Sequence, residues 1–144
     1  NPEVKFGYHA VAMDERRYDF QPCLWDETKK PDGQIIEQVF FPGCHSDVGG
    51  WYDDAGLSNG ALQWMMDKAL RCGLEINRRT LMGHIANPDD AMHESYTGFW
   101  VFRGEAARAI PDGAMVHVSV RDRMGDPKNR YKPDNLPANV RWVQ

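Results

Sequence analysis

The segment Ile35-Ile36-Glu37-Gln38-Val39-Phe40-Phe41 constrains the fold more than any other part of the chain. It is rich in β-branched and aromatic residues and is closed by Pro42-Gly43, which marks a strand end. A glycine-rich loop, Gly43-Cys44-His45-Ser46-Asp47-Val48-Gly49-Gly50, follows directly. Helical signals resume at Ser58, a candidate N-cap. Leu62, Met65, Met66 and Ala69 then share one face at helical spacing, and that stripe reads as core. Asp67 and Arg71 form an i,i+4 pair on another side, and Gly73 is a natural stop. Strand, glycine-rich loop, helix is the half-unit of a sheet covered by helices, so the fold class is α/β.

The remaining segments are less regular. Phe6 to Glu15 fits a short helix or turn ending at Arg16-Arg17. Residues 21–34 hold two prolines, a Lys-Lys pair and Asp32-Gly33, and read as a surface loop. Arg78 to Ile85 is expected to be helical, residues 87–98 turn-rich, and Phe99 to Phe102 a short aromatic run. Met115 to Val120 is either a strand or the lead into a helix at Ser119. Tyr131 to Pro137 should lie extended on the body.

The chain's 144 residues make one domain or part of a larger one. With 42% hydrophobic residues it can pack a core. Seventeen basic against 21 acidic residues argue against a nucleic-acid binder. No apolar run approaches the ~20 residues of a membrane span. Asn1-Pro2-Glu3 carries neither methionine nor signal peptide, so the chain is expected to begin mid-protein or after processing. Three scattered cysteines, Cys23, Cys44 and Cys72, make neither a disulfide framework nor a metal knuckle and suit a reducing compartment.

His45 is the leading catalytic candidate, because sites in open α/β sheets form at the carboxyl ends of strands. Glycines 43, 49 and 50 permit positive φ and close approach to a ligand. Asp47 is placed to steer the imidazole or a backbone turn. The competing reading is an Asx turn beside a surface histidine. His9, near Asp14 and Glu15, is expected to be structural and hydrogen-bonded to backbone. Arg16 and Arg17 should pair with nearby carboxylates. His84, His93 and His117 are isolated and read as structural. His9, Asp14, His45, Asp47 and Asp53 supply metal donors in number, but no ligand spacing groups them, and neither metal nor cofactor is expected. None of Ser46, Ser58, Ser95 or Ser119 sits in a G-x-S-x-G elbow. Cys44 and His45 are adjacent in an extended segment and should point apart.

Three groups of segments, taken together, resemble one family. They are His9 to Arg17 with Phe20-Gln21-Pro22 and Leu24-Trp25; Val39 to Tyr52, followed by Ala61-Leu62-Gln63-Trp64-Met65; and His117-Val118-Ser119-Val120 with Arg123, Tyr131-Lys132-Pro133 and Asn135-Leu136-Pro137. The family is the α/β-hydrolase catalytic domain of the type VI secretion lipase effectors and their relatives. The chain departs at Cys44 and Trp51, where the family more often has an aliphatic residue and glycine.

The resemblance implies that residues 1–144 are the carboxyl-terminal portion of one α/β-hydrolase domain: its last main strand, the histidine loop and the following helices. It implies a serine esterase or phospholipase in which His45 is the triad histidine, with Asp47, Gly49 and Gly50 shaping its loop. The nucleophile and the triad aspartate would lie in an amino-terminal half absent here. It further implies a phospholipid or other ester substrate and a secretion-apparatus or immunity partner. The protein would be cytoplasmic in the producer and delivered to the periplasm of a target cell. Two alternatives remain open: a metal-dependent hydrolase using His9, Asp14, His45 and Asp47, and a non-enzymatic interaction module on a hydrolase scaffold.

Overall fold

The computed structural model describes residue 1 and residues 3–144. Four strands, β1 (Phe6–Ala12), β2 (Ile35–Phe41), β3 (Met115–His117) and β4 (Arg141–Val143), form one parallel sheet in the order β1-β2-β3-β4. Helix α1 (His45–Gly49) and the long α2 (Gly56–Arg71) follow β2. The short α3 (Arg78–Leu81) comes next, and α4 (Val118–Gly125) begins as β3 ends.

The α/β class expected from β2 is observed. Alternation along that strand explains how both sheet faces are covered. Val39 and Phe41 join Ala12, Val48, Ala61, Trp64 and Met115 in one cluster, against α1 and α2. Phe40 points the other way and joins Val11, Met13, Val116 and Val120, under the loops that carry Leu24, Tyr131 and Leu136. A strand buried on both faces loses the polar alternation of a surface strand, so its buried end, Val39–Phe41, is a continuous apolar run.

Several expectations need correction. Phe6–Ala12 is a strand rather than a short helix or turn. Its seven residues pair in register with Ile35–Phe41, a non-local partner that local propensity cannot report. Ile35–Phe41 is not the last main strand, since β3 and β4 follow it, each of only three residues. The glycine-rich loop contains a helical turn, α1. Ser58 is not the N-cap of α2: the helix starts at Gly56, whose N–H is met by Asp90 Oδ2 at 2.8 Å. Ser58 lies inside the first turn, and its hydroxyl donates to the Ala55 carbonyl. Residues 78–85 are helical only to Leu81.

Other expectations hold. Asp67 and Arg71 pair at 2.9 Å. Gly73, at φ 90°, closes α2 as Leu74 N–H returns to the Ala69 carbonyl. The Met115–Val120 alternatives are both realised, three residues of strand followed by a helix whose first turn is capped by His117. Tyr131 and Asn135 tie the extended tail to the body through Asp14 and the Met13 carbonyl.

Candidate active site

Because the four strands are parallel, their carboxyl ends open on one side. Asp14 and Glu15 follow β1 there, His45 follows β2, and His117 ends β3. Gly43 makes the turn out of β2 at φ 104°, and a Cβ in its place would run into the Asp47 side chain. Asp47, the third residue of α1, reaches back to accept the Cys44 N–H at 2.9 Å, as capping residues do. His45 is the first residue of α1 and its side chain is exposed. Its own N–H is fixed by Glu15 Oε2 at 3.1 Å. Phe20 stands edge-on to the imidazole, with centroids 5.3 Å apart.

A cavity of about 530 Å³ lies between β1, α1 and α2, with His45 on its lining. Ala10, Ala12, Leu62 and Met65 give it an apolar wall. Gly50, at φ 84°, leads out of α1 towards Trp51 and Tyr52, which also border the cavity. Of the glycines expected at positive φ, Gly43 and Gly50 adopt it. Gly49 does not, because it is the last helical residue of α1 rather than a turn residue.

Two carboxylates, the buried Glu15 and the half-buried Asp14, hold the histidine turn from below, and their electrostatics differ. Burial pushes the Glu15 carboxyl up, but Arg17, Ser95 and the N–H groups of Arg17 and His45 outweigh it and bring it to about 2. Glu15 thus stays ionised, 2.7 Å from the Arg17 guanidinium. Arg17 in turn lies over the Phe20 ring, 3.7 Å from its centroid. Asp14 is shifted the other way: burial raises its carboxyl, only partly opposed by the Gly43 N–H and the Tyr131 hydroxyl. Burial also raises the Tyr131 hydroxyl and the Cys44 thiol. Cys44 is therefore a protonated core thiol, buried at the N-cap of α1, while the side chain of His45, the first helical residue, is exposed. The pair does not lie in an extended segment as expected.

Asp47 does not contact the His45 ring. Its Oδ1 lies 2.7 Å from His93 Nδ1, and its Oδ2 accepts the His93 N–H at 3.1 Å. The Tyr52 ring stacks on His93 with centroids 3.6 Å apart. His93, read as isolated, is thus the residue that local reasoning missed, because its partner is 46 positions away. The available signal was compositional: His93-Glu94-Ser95 concentrates polar groups in a turn-rich stretch. All three reach the acidic corner, with Glu94 on Arg16 and Ser95 on Glu15.

His9 packs against Trp25, and its Nδ1 has no hydrogen-bond partner among the described residues, so the expected backbone bond is absent. His9, Asp14, His45 and Asp47 do not converge. No group of three or more His, Cys, Asp or Glu side chains among the described residues could hold a metal ion.

The fold is thus a parallel α/β sheet with an exposed histidine beyond an inner strand, at the end where open α/β sheets place their ligand sites. Residues 1–68 match the family described as T6SS, Phospholipase effector Tle1-like, catalytic domain. This is the family that the motifs resemble. The match includes His9–Arg17 and the whole histidine turn and ends within α2, so the motifs from His117 to Pro137 lie beyond it. No curated protein and no solved structure matches the chain. No helix among the described residues is long and apolar enough to cross a membrane.

Proposed function

We propose that this chain supplies the base histidine of a serine-type carboxylic-ester hydrolase acting on phospholipids or related esters. The observation that carries the reading is the setting of His45. Its backbone is locked by Glu15 and the Asp47 turn, while its imidazole is exposed beside an apolar cavity. Its ring has no carboxylate partner among the described residues, as expected of a triad histidine whose aspartate comes from another segment. In the complete site the imidazole would take the serine proton as the hydroxyl attacks the ester carbonyl. It would then return that proton to the departing alkoxide. The serine and the aspartate would come from an amino-terminal half of the same domain. Among the described residues β1 pairs only with β2, which leaves an edge for further strands of that half. The apolar wall of the cavity suits an acyl chain. The family's name supports delivery as a type VI effector; secretion-apparatus and immunity partners, and the target-cell periplasm as destination, complete this reading.

The test is a matched set of variants in the parent protein, each checked for folding and then assayed on a short-chain p-nitrophenyl ester. His45→Ala should lower kcat by about three orders of magnitude or more with KM little changed. His9→Ala should act through folded yield or melting temperature, and Asp47→Asn should fall between. A well-folded His9→Ala that is dead while His45→Ala stays active would reverse the roles.

A further inference from the structure

Asp47 and Glu15, which fix the Cys44 and His45 N–H groups, are both gripped by one short segment. His93 holds Asp47 through two hydrogen bonds, one from its backbone N–H and one through its Nδ1. Two residues on, the Ser95 hydroxyl donates to Glu15 at 2.8 Å. The Asp47 carboxylate is almost fully buried, with 1% of its side chain exposed, so an unpaired oxygen there would be costly. Its Oδ2 is already shared between the Cys44 and His93 N–H groups, which leaves Oδ1 for the imidazole. The imidazole is itself held by the Tyr52 ring, in the segment that leaves α1.

We propose that His93 is a positioning residue: by donating from Nδ1 to Asp47 it holds the α1 turn, and so sets the direction in which His45 presents its ring. The proposal rests on His45 being the base, and goes beyond that reading by assigning a role to a histidine 48 positions further along the chain, outside the family match. A carboxylate held on one side only can swing. Because α1 is five residues long, a swing of Asp47 shifts the residue at its start. Misplacing a reacting group by about 1 Å costs on the order of 100-fold in rate. His93 touches no reacting atom on this account, so its loss should lower kcat without abolishing it.

The experiment compares His93→Asn, His93→Gln and His93→Ala in the parent protein, with His45→Ala as reference, on the same p-nitrophenyl ester, each rate normalised to the folded fraction by circular dichroism. Asparagine places an N–H donor near the Nδ1 position, and glutamine places it near Nε2. Both lose the ring stacked on Tyr52, so a packing role alone would favour the larger glutamine. The expected result is a 10- to 100-fold fall in kcat for His93→Ala and His93→Gln with KM within about two-fold, and a fall of no more than about three-fold for His93→Asn. Glutamine matching or exceeding asparagine overturns the proposal. So does unchanged kcat in His93→Ala while His45→Ala is inactive. A fully active His45→Ala overturns the base assignment instead, and the positioning role with it.

Discussion

Trp51 and Glu15 show how single residues record the demands of the histidine turn. Trp51 stands at φ 153°, a conformation that side chains other than glycine rarely adopt, and its ring is almost wholly exposed. Glycine adopts that conformation without strain. Trp51→Gly should be more stable than Trp51→Ala by roughly 1 kcal/mol, since alanine keeps the strain and glycine removes it. Urea unfolding checks this, and equal stability of the two variants would show that the backbone relaxes without cost. Glu15 makes a pH prediction. Its folded-state value of about 2 lies below the ordinary 4.5. Its contribution is therefore complete above pH 4.5 and is lost as pH falls through 4.5 towards 2. That corresponds to roughly 3 kcal/mol at neutral pH for a fully buried carboxylate. Glu15→Gln should be less stable than the parent chain at pH 7, with the gap closing by about pH 2. A gap that stays constant across that range would assign the loss to packing instead.

At the scale of elements, what could be read in advance depended on how local the determinants are. β2, α2 and the order strand, histidine turn, helix were legible, because Val39–Phe41 is apolar and Leu62, Met65 and Met66 repeat with the helical period. The stripe read as core is only half-buried, however, and α2 buries Leu57, Ala61 and Trp64 instead. β1 was misread because Tyr8-His9-Ala10 has weak strand character and is held by register with Glu37-Gln38-Val39. The start of α2 was misplaced for the same reason, its capping carboxylate being Asp90, 34 residues away. The placement of Gly43 and His45 directly after a strand was legible. The link from Asp47 to His93 was not, since no local pattern reports a loop folding back over α1. β1 also carries a prediction of its own. In the isolated chain, those of its amides that point away from β2 should exchange quickly with solvent. Adding the amino-terminal half of the domain should slow them at least ten-fold in hydrogen-exchange mass spectrometry. Protection that is already full in the isolated chain would mean that β1 is a finished edge.

The whole molecule is a parallel sheet buried on both faces, with Asp14, Glu15 and His45 brought together beyond the ends of its first two strands. It carries an exposed histidine beside an apolar cavity, with no serine elbow in the sequence, and on the proposed reading the rest of the site comes from another segment. That division predicts a particular behaviour of the parts. The 144-residue chain alone should not turn over a p-nitrophenyl ester. Mixed with a separately produced amino-terminal segment carrying the nucleophile, it should regain measurable turnover, and the same mixture made with His45→Ala should not. Turnover by the 144-residue chain alone, unchanged by His45→Ala, would contradict both the division of the site and the role of His45.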